Sequence, residues 1–381
     1  MLLPSAVMRE DTFDIVMLGT FGLWRLGTLQ SRALPFASEL AARGYRCAIV
    51  TSPWDMPFER GVVETRDGVL IVNTAAAGAT TLPAVFQQLE VIRHLRPRLI
   101  HLFKPRGFGG IAARCLLGRV PVIVDSDDWE GDGGWNRQGH YPLAQRRLFD
   151  WQERTLLRDA DGVTAASTLL TERACVLRRS SRNVHRLPNG LASSWIAELE
   201  AARSPASERA APTVLLYSRF EEFAPGWPDQ FARSLRRHYP QARIVSVGGG
   251  SATEVEQMGY VAREVIPSVL GSAAVAVFPY QDTLITRSKQ SVKLLELMAA
   301  GCAIVASDVG DVPAVLGPAG RLVATDNPER FAESTAVLLA DMSGRMTLGA
   351  AAQERVRSHF SIPAIVDRLT EAYAEHGVTG R

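Results

Sequence analysis

Residues 288–307 read SKQSVKLLELMAAGCAIVAS. Val292, Leu294, Leu295, Leu297 and Met298 leave almost no polar side on the first half, the pattern of a helix buried all round. Ser291 suits the N-cap and Gly301 the stop. CAIVAS then has the apolar, β-branched character of a buried strand. A buried helix leading into a buried strand is the repeating unit of a parallel sheet covered on both faces. Within that helix Lys293 and Glu296 stand three residues apart, and so on one face. This charged stripe in an apolar helix has to touch something.

Moving outward, the same alternation runs through the chain. Short apolar runs at 13–19 (FDIVMLG), 46–52 (RCAIVTS), 98–103 (RLIHLF), 120–125 (VPVIVD), 161–167 (DGVTAAS) and 184–190 (VHRLPNG) are separated by segments of helical period, such as 31–44. Residues 197–212, AELEAARSPASERAAP, interrupt the pattern with Ala, Ser, Pro and charge. It resumes at 213–218 (TVLLYS), 242–250 (ARIVSVGGG), 273–280 (AAVAVFPY) and 302–308 (CAIVASD). The expected class is α/β, with two Rossmann-like parallel-sheet domains facing across a cleft. Residues 1–196 form the first domain, 197–212 a linker and 213–360 the second domain. A C-terminal helix within 361–381 is placed to pack back on the first. Ligands bind outside the carboxyl ends of parallel strands and between domains, so the cleft is the expected site.

Composition narrows the function. A length of 381 residues exceeds one ordinary core and suits two domains. A net charge of +2, from 42 basic and 40 acidic residues, argues against a nucleic-acid partner. It leaves room for peripheral membrane contact through an amphipathic helix of the first domain. Cys47, Cys115, Cys175 and Cys302 are far apart, without CxxC spacing, which reads as reduced thiols in a cytoplasmic protein. Acidic residues interrupt the N-terminal stretch where a signal peptide needs an apolar core, and no run approaches the ~18 apolar residues of a spanning helix.

A helix opening at Ser291 would present free N–H groups and a positive dipole end at the carboxyl edge of the second sheet, a place for a phosphate. Lys289 and Lys293 add charge where the dipole disfavours cations, which points to a strongly anionic ligand. Glu296, one turn deeper, offers two acceptor oxygens to the paired hydroxyls of a ribose. The competing reading is a Lys293–Glu296 pair that neutralises itself.

The run KLLELMAAGCAIVASDVGDVPAVL followed by AGRLV, within 293–323, resembles the donor-binding signature of retaining glycosyltransferases of family 4, which have the GT-B fold. Residues 184–191, 213–220 and 320–339 are similar to three further segments of that family, in the same order. The resemblance is strong from about Arg219 onward and weaker before Val120. It implies transfer of a hexose-like sugar from a nucleoside diphosphate-sugar to a hydroxyl acceptor, with retention of configuration. No resident cofactor or metal is expected. The acceptor is left open among a glycan, a lipid-linked glycan and a small molecule. Glu296 matches the second glutamate of the family's E-x7-E motif, which holds the ribose. Arg219 matches the arginine that contacts the diphosphate, and its guanidinium suits phosphate oxygens. The sequence departs at Ser288, where the first glutamate of the motif usually stands, and at Pro225, where a lysine usually follows the arginine. Lys289 and Lys293 are placed to supply the missing charge.

In the first domain, 120–135 (VPVIVDSDDWEGDGGW) carries a strand into Asp125, Asp127, Asp128, Glu130 and Asp132. Clustered carboxylates suit a divalent cation, but Trp129 spoils EF-hand spacing. The resemblance places Asp127 where many members have a histidine near the reacting sugar, so Asp127 and Asp128 are candidates to orient a hydroxyl. The ordinary alternative is capping and solvation of a loop. The turn GTFGLWRLG at 19–27 is glycine-rich, and Gly19 and Gly22 could bring backbone N–H groups to a phosphate or the acceptor. It is not GxGxxG. Lys104 and Arg106 read either as contacts for an anionic acceptor or as a solvated basic loop, and His101 as a core residue.

Catalysis would come from Arg219, Lys293 and Lys289 with the helix N-terminus, stabilising charge on the departing diphosphate. Two other readings fit the same fold: a sugar-nucleotide epimerase, and a degenerate member that binds nucleotide-sugar without turnover.

Overall fold

The computed structural model describes residues 12–24, 27–76, 81–139, 141–203, 212–219, 221–324 and 326–380. The chain folds as two compact units, 1–189 with 365–381 and 190–364.

The first unit holds an eight-stranded sheet of order β3-β4-β2-β1-β5-β6-β7-β8. Its strands are β1 (Ile15–Leu18), β2 (Cys47–Thr51), β3 (Val63–Arg66), β4 (Val69–Asn73), β5 (Leu99–Phe103), β6 (Val122–Ser126), β7 (Gly162–Ala165) and β8 (Val184–Arg186). All neighbours are parallel except β3 and β4, an antiparallel hairpin at the edge. The central strands are buried along their whole length, as double coverage by helices requires. The register aligns Leu18 with Leu102 and Phe103 with Asp125, so Gly19, Lys104 and Asp127 all leave the sheet at its carboxyl edge.

The second unit holds a six-stranded parallel sheet of order β11-β10-β9-β12-β13-β14. These are β9 (Thr213–Tyr217), β10 (Arg243–Val247), β11 (Glu256–Gln257), β12 (Val275–Phe278), β13 (Ala303–Ser307) and β14 (Arg321–Val323). The stripe-bearing helix spans Val292–Ala299, with Leu294 to Ala299 buried. It ends at Gly301, whose φ of 70° is the left-handed conformation that glycine adopts without strain.

One expectation is adjusted. The break in the chain's organisation lies at 189/190, before the segment read as a linker, because Ser193–Ala201 forms a helix that packs Trp195, Ile196 and Leu199 into the second core. Residues 204–211 of that segment lie outside the described residues. Residues 365–381 belong to the first unit, where Tyr373 is fully buried and its hydroxyl lies 2.7 Å from Nδ1 of His101. His101 is a satisfied core residue: its other ring nitrogen lies 3.1 Å from the Thr164 hydroxyl, and burial holds its pKa well below the usual value. Among the described residues no helix is long and apolar enough to cross a membrane.

Candidate active site

In the second unit the charged stripe is not an internal ion pair. The Glu296 carboxylate accepts one hydrogen bond at each oxygen, from Trp195 Nε1 at 3.0 Å and from the Tyr217 hydroxyl at 2.8 Å. Lys293 turns away onto the Tyr217 ring, its Nζ 3.7 Å from the centroid, a cation–π contact. Burial lowers the pKa of Lys293, and the neighbouring charge of Arg219 works the same way against the opposing pull of Glu296. Burial, followed by the Glu296 carboxylate, raises that of the Tyr217 phenol, so its proton stays in the hydrogen bond. Arg263 lies over the Trp195 indole, 4.1 Å from its ring centre.

Ser291 holds the N-cap position of the helix, but its side chain makes no capping bond. The first-turn amides are therefore not closed off by it. Lys289 is ion-paired with Glu222, which Ser218 also bonds at 3.2 Å. Ser288 is buried with its hydroxyl on the Ile285 carbonyl at 3.0 Å, so the departure from the E-x7-E pattern is absorbed by local backbone. Arg219 is exposed just past the end of β9. Its position is shaped by a residue the sequence reading passed over. Gly248 has a φ of 120°, and a Cβ there would fall 1.7 Å from the Ser218 carbonyl oxygen. Pro225 precedes Gly226, whose φ of 72° starts the helix Trp227–His238.

In the first unit the acidic turn after β6 is neither a loose loop nor an empty carboxylate cluster. Asp127, Asp128 and Glu130 bring ligand oxygens within 4.8 Å of one another. The Lys104 ammonium lies among them, 3.3 Å from Asp127, 3.0 Å from Asp128 and 2.5 Å from Glu130. Arg106 adds a contact of 2.9 Å to Glu130. The reading of Lys104 and Arg106 as a solvated basic loop is therefore corrected. Lys104 has a φ of 62°, an unusual conformation for a residue with a side chain, and it is largely buried. Burial pulls its pKa down, but the three carboxylates outweigh that and hold it well above the usual lysine value. Asp127 also accepts from the Thr28 hydroxyl at 2.7 Å. Burial works to raise its pKa, and Lys104 with Thr28 brings it below the usual value. Asp128 moves the other way, raised by burial and by its carboxylate neighbours.

The glycine-rich turn is differently employed from expectation. The Gly22 amide donates to Asp55 Oδ1 at 2.8 Å, and those of Leu23 and Trp24 donate to Glu59 at 2.8 and 2.5 Å. The Gly19 amide donates to the Val50 carbonyl. Carboxylates from the segment after β2 thus take the donors that a phosphate was expected to meet. The glycines serve packing: a Cβ at Gly19 would meet Leu29 at 2.6 Å, and one at Gly22 would meet Met56 at 2.5 Å. Arg25 and Leu26 of the turn lie outside the described residues.

Two largely parallel sheets with polar and charged residues gathered beyond their carboxyl ends place the candidate ligand sites at those ends. The family described as "Glycosyl transferases group 1" matches residues 213–341, and "Glycosyl transferase 4-like domain" matches 27–190. Alpha-maltose-1-phosphate synthase of Mycolicibacterium smegmatis is 28% identical over 310 residues, 70% of this chain and 76% of that protein. Phosphatidyl-myo-inositol mannosyltransferase of the same organism is 30% identical over 205 residues, 50% of this chain and 53% of that protein. Among solved structures, sucrose-phosphate synthase from Thermosynechococcus elongatus superposes with a TM-score of 0.69 at 20% identity, covering 95% of this chain and 98% of that one. HepE from Anabaena in complex with UDP-glucose gives 0.67 at 14% identity, covering 95% and 99%.

The chain belongs to the family 4, group 1 glycosyltransferases, with the GT-B fold. It is a retaining glycosyltransferase that takes its sugar from a nucleoside diphosphate-sugar.

Proposed function

We propose that the second unit binds the donor with Glu296 on the ribose hydroxyls and with Arg219, Lys289 and Lys293 on the diphosphate. The observation that carries this is the charge arrangement at the Val292–Ala299 helix. Glu296 is buried yet held by two neutral donors, and a carboxylate has acceptor directions left for a diol. Lys293, at the open first turn, has an aromatic ring where a counter-ion would ordinarily stand. A diphosphate there would offset the repulsion among three cations and use the dipole of the helix.

The chemistry follows from charge. As the glycosidic bond breaks, the sugar carbon becomes oxocarbenium-like and negative charge grows on the leaving diphosphate. Cations placed in advance around that position stabilise the transition state more than the ground state. The departing phosphate takes the acceptor proton, so a strong protein base is not needed. In the first unit, Asp127 and Asp128 act on hydroxyls of the sugars, and Lys104 supplies the positive charge of their cluster, so this reading uses no metal. The acceptor is a hydroxyl-bearing molecule, a class that accommodates the lipid in the name of one relative and the sugar phosphate that the other is named for making.

Calorimetric titration of UDP, GDP, ADP and CDP into the wild type and Glu296→Ala tests the donor assignment. One nucleotide should bind at micromolar concentration and weaken at least tenfold in the variant, about 1.4 kcal/mol. Equal binding by both proteins would remove Glu296 from the ribose.

A further inference from the structure

Glu296 is set in place by side chains that reach it from two other elements. Trp195 belongs to the helix Ser193–Ala201 and Tyr217 ends β9, and they lie 101 and 79 residues away in sequence. Both are nearly inaccessible, at 4% and 5% exposure, and Glu296 is at 9%. Burying a carboxylate is costly unless it is paired or bonded. A core needing only shape at these positions would be served by phenylalanine and leucine beside an apolar residue. Here two neutral donors instead fix both oxygens, and the nearby Lys293 attracts the charge without bonding to it. Each carboxylate oxygen keeps one further acceptor direction. Tyr217 has a second task, since the face of its ring carries the Lys293 ammonium. One side chain therefore sets the groups read here as the ribose ligand and a diphosphate ligand.

We propose that Trp195 and Tyr217 are positioning residues that determine donor specificity. The indole N–H and the phenol hydroxyl orient Glu296 so that its remaining acceptor directions meet the ribose diol. The Tyr217 ring seats Lys293 for the diphosphate. This rests on the assignment of Glu296 to the ribose. It separates two properties of one residue: the hydroxyl serves selection of the sugar of the nucleoside, and the ring serves selection of the phosphate number.

The test uses the full chain and three ligands for whichever base binds best among UDP, GDP, ADP and CDP: the diphosphate, its 2′,3′-dideoxy counterpart and the monophosphate. Calorimetry on wild type, Glu296→Ala, Tyr217→Phe, Tyr217→Leu and Trp195→Phe gives two ratios for each protein. The first is dideoxy-diphosphate over diphosphate Kd. The second is monophosphate over diphosphate Kd. In the wild type the first ratio should be tenfold or more, and in Glu296→Ala it should fall to about one. Tyr217→Phe and Trp195→Phe should each bring it to about threefold or less, with the second ratio unchanged in Tyr217→Phe. Tyr217→Leu should lower both ratios. These are ratios on a single protein, so a loss of overall stability does not mimic them. Tyr217→Phe removes only one oxygen, and it decides the matter alone if another variant fails to fold. A collapse of the first ratio in Glu296→Ala with a wild-type ratio in Tyr217→Phe overturns the positioning role and leaves the ribose assignment standing. An unchanged ratio in Glu296→Ala overturns both.

Discussion

The guanidinium of Arg32 faces the carboxylate of Asp125 through two hydrogen bonds of 2.8 Å, from Nε and from one terminal nitrogen, where neither side chain meets solvent. Arg32 also donates to the carbonyls of Leu187 and Pro188, and Thr164 donates to Asp125 at 2.7 Å. Every strong partner of the buried pair is thus specified by geometry. Removing one member leaves the other charged and unmatched, so Arg32→Met or Asp125→Ala should each cost about 3–5 kcal/mol. Denaturant unfolding of the first unit's transition would measure it.

Lys104 and its three carboxylates should behave as one electrostatic unit. Lys104→Met removes the shared cation and sets Asp127, Asp128 and Glu130 against one another. The variant should be less stable than wild type at pH 7, and the deficit should shrink as the pH falls and the carboxylates take up protons. It should also bind Ca²⁺ at the cluster where the wild type does not, because oxygen ligands within 4.8 Å of one another then keep only Arg106, on Glu130, as a paired cation. Thermal melts at several pH values, with and without Ca²⁺, read both effects.

Donor affinity should carry an alkaline limb. Burial lowers the pKa of Lys293 from the ordinary 10.5. A bound diphosphate favours its protonated form. Affinity is then at its full value while free Lys293 is protonated, and it declines as pH rises through the lowered pKa. Lys293→Arg keeps its charge throughout that range, so the decline should move upward or vanish. Nucleotide Kd measured from pH 7 to 10.5 checks the sign.

Arg219→Ala should lower kcat by about a hundredfold, the scale of losing one preorganised charge at a leaving group. Gly248→Ala should reproduce part of that loss without touching a charge, since the methyl would displace the Ser218 carbonyl and with it the adjoining Arg219. Steady-state kinetics with donor and acceptor, beside melts of both variants, separate the local shift from global unfolding.

How far these features were legible in the sequence depended on the distance over which they act. The central strands announced themselves as apolar runs because double burial leaves no polar alternation. The β3–β4 hairpin did not, since β3 is an edge strand whose Glu64 and Thr65 are exposed. Glu296 and Lys293 could be found from a charge in an apolar helix, but what they touch could not. Trp195 and Tyr217 sit in apolar context and read as packing until the fold brings them to a carboxylate. Lys104 shows the same limit: its local run, KPRGFGG, looks solvated, and its partners arrive 23 to 26 residues later on the neighbouring strand's turn. The glycine-rich turn erred in the opposite direction, because nothing local announced that Asp55 and Glu59 would take its amides.

The return of residues 365–381 to the first unit sets an order of assembly during synthesis. Ile365, Val366, Leu369, Ala372 and Tyr373 are fully buried, and Asp367 and Glu375 reach Arg43 and His185 of the earlier chain. The ribosome delivers these residues after every strand of both sheets. The second unit, continuous from 190 to 364, can therefore complete its core while the first, begun earlier, still exposes the apolar ground that the last helix covers. Of the two units, the one begun first is the one completed second.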